Sequence, residues 1–196
     1  MSGQVERFLS GAELAAVTAR LGAEISADHP DGVTVIGVLN GSLCFLADLV
    51  RALRVPCEVD FLAVTSFATG APRARLLKDL DLDLAGRDVV LVEHVVDTGL
   101  TTSFLVGLLR QRGPRSLRVC ALLERPSRRI VPVELAYVGA TAPEDFLVGY
   151  GFDLAGRLRN LDAIYALRSA PEQDELEALE AALFPGVAGH ARAPKR

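Results

Sequence analysis

A chain of 196 residues, half of them hydrophobic, can close one ordinary core, and a net charge of −4 argues against a nucleic-acid surface. No apolar run approaches the roughly 20 residues of a membrane span, and Met1 to Leu9 lacks a basic start leading into a long apolar stretch, so neither an anchor nor a secretory signal is expected. Cys44, Cys57 and Cys120 lie in apolar stretches without CxxC spacing and read as reduced core thiols, which points to a cytoplasmic protein.

Ser10 to Ala27 carries Leu14, Val17, Leu21 and Ile25 at helical spacing, with Ser10 as the N-cap of an amphipathic helix. Val33 to Leu39 is a near-continuous apolar run between Asp31-Gly32 and Asn40-Gly41, the pattern of a strand buried on both faces of a parallel sheet. Leu43 to Leu53 reads as a helix, and Val55 to Thr65 and Asp88 to Glu93 as strands. Thr101 to Arg112 reads as a helix stopped by Gly113-Pro114, and Leu117 to Leu123 as a further buried strand. Ser66 to Arg75, with Gly70, Pro72, two arginines and no period, reads as a mobile loop. Leu135 to Val138 and Phe146 to Tyr150 are short strand-like pieces, and Ala163 to Leu167 a last strand. Asp174 to Phe184 is an acidic helix with Leu176, Leu179 and Leu183 on one face, and Pro185 to Arg196 has the composition of a disordered tail. This order of elements predicts a doubly wound α/β sheet.

The strongest local signal runs from Val89 to Thr102. A buried strand leads into Glu93 and His94, two valines, then Asp97-Thr98-Gly99-Leu100-Thr101 at the start of a helix. Unpaired amides and the helix dipole there favour a phosphate, and Gly99 lets the backbone come close to its oxygens. The carboxylates of Glu93 and Asp97 would repel a phosphate if they faced it; they suit sugar hydroxyls, a metal, or a proton to be moved. Taken alone, Asp97-Thr98-Gly99 also reads as a simple turn with Thr101 as an N-cap; the preceding strand and Glu93 favour the phosphate site.

This segment resembles the phosphoribosyl pyrophosphate (PRPP) motif of type I phosphoribosyltransferases. Four further segments resemble the hypoxanthine-guanine branch: Val38 to Ser42 its pyrophosphate loop, Ser66-Phe67 its closing loop, Leu122 to Arg129 its base-reading strand and turn, and Asp145 to Asp153 with Arg159-Asn160-Leu161 its purine pocket. The likeness spans about residues 8 to 168. It implies an α/β fold with a central, mostly parallel sheet flanked by helices and a small hood subdomain. The catalytic domain would be residues 1–168, its hood drawn from 1–10 and about 125–168, with a helix over 169–184 and a tail over 185–196.

The resemblance also implies the chemistry, in which a ring nitrogen of the base displaces pyrophosphate from C1 of the sugar. Asp97 would be the catalytic base near purine N7. Glu93 and His94 would face the ribose, and Thr98, Gly99, Leu100, Thr101 and Thr102 would hold the 5′-phosphate. Leu39, Asn40 and Gly41, with a peptide that is often cis in relatives, would contact pyrophosphate together with Arg159. Arg125, Phe146, Leu147 and Asp153 would line the base pocket, Phe146 by stacking. Ser66 and Phe67 would close over the site, and Asp153 and Glu93 would serve Mg²⁺. Phe146 also reads as plain core, Asp153 as a cap of the turn before Leu154, and Arg128 and Arg129 as a solvated turn. Asp48 and Asp60 are assigned nothing. A homodimer or homotetramer is implied as well.

Four positions depart from the pattern. His94 replaces a second acidic residue, Asn40 and Arg125 replace lysines, and Phe67 replaces a tyrosine in a loop that looks a few residues shorter. The readings left open are a salvage enzyme making IMP or GMP, a specialised paralogue with an unusual sugar pyrophosphate or base, and a non-catalytic sensor of PRPP or a nucleotide. No GxGxxG follows a strand, which disfavours a dehydrogenase.

Overall fold

The computed structural model describes residues 5–65, 75–169 and 173–184. In chain order the elements are β1 (Val5–Leu9), α1 (Gly11–Asp28), β2 (Val33–Leu39), α2 (Leu43–Ala52), β3 (Cys57–Val64), β4 (Leu76–Lys78), β5 (Asp88–Val96), α3 (Leu100–Arg110), β6 (Ser116–Glu124), β7 (Tyr137–Thr141), β8 (Phe146–Val148), β9 (Ile164–Leu167) and α4 (Gln173–Leu183). A single 3-10 turn, Pro126–Arg128, follows β6.

Six strands form the main sheet in the order β4-β3-β2-β5-β6-β7. All neighbours are parallel except β4, which runs antiparallel to β3. Each central strand is buried on both faces, as its unbroken apolar run requires. On one face Val35, Val90, Val92, Cys120 and Leu122 meet Leu14, Leu21 and Ile25 of α1 and Phe45, Leu46 and Leu49 of α2. On the other, Ile36, Val38, Val89, Leu91 and Val119 meet Leu105 and Leu109 of α3. The expected doubly wound arrangement is therefore present.

A second sheet, β1-β9-β8, is antiparallel. It shares a separate apolar cluster with α4, in which Leu176 and Leu179 pack with Val148, Leu158, Leu161 and Leu167. No helix among the described residues is long and apolar enough to cross a membrane.

The topology decides where a ligand can sit. After β2 the chain first builds β3 on one side, then crosses to place β5 on the other. The loops that leave β2 and β5 at their C-terminal ends diverge there and open a crevice. Pairing of β2 with β5 ends at Gly37 with Val92, whereas β5 stays paired with β6 as far as Val96 with Glu124. Residues 93–96 therefore project past their pairing with β2, with the loop after β2 beside them.

Candidate active site

The expected phosphate cradle is a turn at the start of α3. Gly99 caps the helix with φ 83 and ψ −9, a left-handed backbone that suits glycine. A Cβ at this position would lie 2.3 Å from the carbonyl oxygen of Val131, so the close packing also demands glycine. Thr98 O accepts the amides of Ile130 and Val131 at 2.9 and 3.0 Å, which fixes the loop from behind. The Leu100 amide makes one long bond of 3.4 Å to Thr98 Oγ1, and the amides of Gly99, Thr101 and Thr102 take no partner among the described residues. These are the orphan donors of a helix start, groups that favour an anion. Thr101 is not the N-cap; the cap is Gly99, because the helix begins one residue earlier than its apolar period indicates.

Asp97 sits at the mouth of this cradle, about one third exposed. Arg125 Nη1 donates to its two oxygens at 3.4 and 3.2 Å. The other Arg125 donors are taken by backbone: Nε by Pro143 O and Nη2 by Asp145 O, both at 2.7 Å. Arg125 is thereby buried and aimed. Reading Arg128 and Arg129 as a solvated turn is corrected here. Arg129 Nε donates to Asp97 O at 3.0 Å and its Nη2 to Val96 O at 3.2 Å. Arg128 Nη1 lies 3.9 Å from Asp97 Oδ2 and binds Glu144 through Nε at 2.7 Å. The signal that would have found them is topological: the turn after β6 adjoins the turn after β5 at the same edge of the sheet.

Across the crevice, the Leu39-Asn40 peptide is cis, as the resemblance implies. Ser42 is buried and its hydroxyl returns to Val38 O at 2.6 Å, holding the loop tight. Gly41 lies against His94: a Cβ on it would come within 2.4 Å of the imidazole. On its other side the ring packs on Phe152, with centroids 4.8 Å apart and planes at 57°. His94 Nδ1 is buried with no hydrogen-bond partner and stands 3.8 Å from Glu93 Oε2. That separation is too long for a hydrogen bond. Burial raises the Glu93 carboxyl above the usual carboxylate range, partly opposed by His94.

The segment after β8 closes the site. Gly151 passes so close to the Gly41 carbonyl that a Cβ on it would lie 2.2 Å away. Arg159 donates through Nη1 to Gly151 O at 2.6 Å and pairs through Nη2 with Asp153 Oδ1 at 2.7 Å. Asp153 Oδ2 accepts the Gly156 amide at 2.7 Å, so this residue does hold a turn. Phe146 is half-buried at the edge of the α4 cluster and Leu147 is buried. Asp60, assigned nothing from sequence, is structural: it accepts the amides of Phe61, Asp81 and Leu82. Ser66 and Phe67 lie outside the described residues.

Contacts join Asp97 to Arg125, and His94 to Glu93, Gly41 and Phe152, while Gly151 links Gly41 to Arg159 and Asp153. A separate depression between Asp31 and Asp88 lies at the opposite ends of the strands and contains none of them.

A cradle of free amides, a carboxylate at its mouth and a cis-peptide loop opposite are features of a catalytic family, and comparison with known proteins names it. The family model described as the phosphoribosyl transferase domain matches residues 4–155. The chain is 42% identical over 167 residues to a hypoxanthine phosphoribosyltransferase of Salmonella typhimurium, covering 82% of this chain and 94% of the relative. It is 44% identical over 170 residues to a hypoxanthine-guanine phosphoribosyltransferase of Mycobacterium avium, covering 82% and 84%. Among solved structures, a hypoxanthine-guanine phosphoribosyltransferase of Bacillus anthracis superposes with a TM-score of 0.79 at 35% identity, covering 83% of this chain and 98% of that one. With sequence, fold and crevice in agreement, the chain belongs to the phosphoribosyl transferase family.

Proposed function

We propose that the protein transfers the 5-phosphoribosyl group of PRPP to a 6-oxopurine such as hypoxanthine or guanine, releasing pyrophosphate. The observation that carries this reading is the pairing of Asp97 with Arg125 Nη1 beside the open amides of the cradle. An acceptor next to a donor complements a purine edge that offers a ring N–H next to a carbonyl oxygen. The support from relatives is their naming as hypoxanthine or hypoxanthine-guanine phosphoribosyltransferases.

In this reading the Thr98 to Thr102 amides fix the 5′-phosphate and so place C1 of the sugar next to Asp97. The C1–oxygen bond to pyrophosphate breaks as a ring nitrogen of the base bonds to C1, and Asp97 accepts the proton the base gives up. Positioning and charge placement carry the catalysis, because the transition state is close to an oxocarbenium ion. Arg159 holds the leaving pyrophosphate by its guanidinium fork. Phe146 stacks on the base and Leu147 reads its edge through the backbone.

Magnesium fits this arrangement as an ion that arrives on pyrophosphate, where it would neutralise charge on the leaving group. Among the described residues no group of three or more His, Cys, Asp or Glu forms a metal cage. Glu93 fits a sugar hydroxyl or such an ion, being a buried carboxyl whose neighbour His94 is beyond bonding distance. Asp153 fits less well, since Arg159 and Gly156 already engage its two oxygens. Ser66 and Phe67 are proposed as closing-loop residues. We also propose a cytoplasmic homo-oligomer, tested by sedimentation of the purified chain.

One observation favours a second reading, a specialised paralogue with a different sugar donor or base: the His94 ring fills the space between Gly41 and Phe152 at the ribose end. Purified protein assayed with PRPP and hypoxanthine, guanine or adenine separates the two. Rapid nucleotide formation from hypoxanthine or guanine supports the first. Turnover with adenine but not with hypoxanthine or guanine supports the second, whereas PRPP binding with no turnover of any base supports a non-catalytic sensor.

A further inference from the structure

Three consecutive residues after β8 face three different ways. Arg157 meets Glu180 of α4 in an ion pair at the surface. Leu158 is buried in the cluster that holds Leu176 and Leu179 of α4. Arg159 turns into the site, where it binds Gly151 O and Asp153. Leu158 has φ 72, a left-handed backbone that is strained for a side chain of this size and persists only where its surroundings impose it. What surrounds it is α4 together with Val148, Leu161 and Leu167. The same cluster takes Phe146, an expected base-pocket residue, at its margin. The family match ends at residue 155, before Arg157, Leu158, Arg159 and the whole of α4.

We propose that α4 is a clamp, with Leu176, Leu179 and Glu180 as positioning residues that hold Leu158 in its strained conformation and so aim Arg159 at pyrophosphate. This rests on reading Arg159 as the pyrophosphate-binding arginine. The helix touches no substrate; it acts by fixing the direction of a guanidinium whose misplacement by about 1 Å would be felt in binding.

The test uses the full chain and measures KM for PRPP, KM for pyrophosphate in the reverse reaction, KM for the base, kcat and Tm. Leu176→Ala with Leu179→Ala is expected to raise both KM values for pyrophosphate-bearing ligands by roughly ten-fold. The KM for the base should change less and kcat should stay within about two-fold. Leu176→Met with Leu179→Met should keep near-native values, because methionine conserves the volume. If the double variant does not fold, Leu179→Val serves instead, with an expected rise of about three-fold. A variant that lowers Tm yet leaves the KM for pyrophosphate unchanged overturns the clamp and leaves α4 a stabilising element only. Arg159→Ala separates the two ideas: a large rise in KM for pyrophosphate there, with none in the α4 variants, sinks the clamp alone. No rise in Arg159→Ala removes both.

Discussion

At the proposed site, Asp97 and Gly99 are each held by contacts that a substitution can probe. Arg125 Nη1 and the backbone contacts of Arg129 hold Asp97 in place without using all of its acceptor capacity. A carboxylate so placed accepts a proton, and an amide does not. Asp97→Asn is therefore expected to lower kcat by about 10²- to 10⁴-fold while PRPP affinity changes only a few-fold; steady-state rates with a ligand titration check both. Equal losses in affinity and turnover would show that the carboxylate binds instead of reacting. At Gly99 the φ of 83 and the 2.3 Å approach to Val131 O act together. Gly99→Ala should cost about 2 kcal/mol or more in urea unfolding and weaken phosphate binding at the same time. The family resemblance pointed to the cis peptide at Leu39-Asn40, and the tripeptide Asp97-Thr98-Gly99 was legible in the sequence. The roles of Arg128 and Arg129 were not, because a run of basic residues in a turn has the same appearance whether it meets water or a carbonyl across the sheet.

At the scale of elements, local chemistry and long-range pairing separate clearly. Helix α1 begins where its sequence dictates: Ser10 accepts the Glu13 amide at 3.3 Å, and Glu13 returns a bond to the Ser10 amide at 2.8 Å. Ser10→Ala should cost about 1 kcal/mol in chemical denaturation, with kinetic constants unchanged. Strand β5 runs to Val96, past the Glu93 boundary that hydropathy indicates. Its carboxylate and imidazole do not end the strand, because β6 supplies a paired neighbour as far as Glu124. Strands β1 and β4 were not foreseen. The first carries two exposed residues among its five and exists because β9, more than 150 residues later, pairs with it. The second is three residues long and depends on β3. Neither has a periodic signal of its own.

Across the whole molecule the two ends of the parallel sheet do different work. The C-terminal edge carries the crevice, and the N-terminal edge carries a buried network around His29 that ties α1 to β5 and β7. His29 Nε2 lies 3.4 Å from the Tyr137 hydroxyl and Nδ1 4.0 Å from Asp88, while Tyr137 donates to Asp28 at 2.8 Å. Burial, and then the nearby Arg118, hold the His29 imidazole below the ordinary histidine value. The unfolded chain therefore takes up this proton at a higher pH than the folded one. Above about pH 6.5 both states are neutral and the residue adds no pH dependence; as pH falls through that value the unfolded chain charges first, and stability declines. Urea midpoints compared at about pH 7.5 and about pH 5.5 should fall more for the native chain than for His29→Gln. Equal falls would place the acid sensitivity elsewhere.

Most of the element order, the central buried strands, the Asp97-Thr98-Gly99 loop and the family resemblance were present in the chain itself, because each rests on residues adjacent or a few positions apart. Tertiary structure alone decided that the turn after β6 would meet Asp97, that His94 would sit between Gly41 and Phe152, and that α4 would lie behind Leu158. Those contacts join segments tens of residues apart, and which of them meet depends on strand order, which local propensity does not encode.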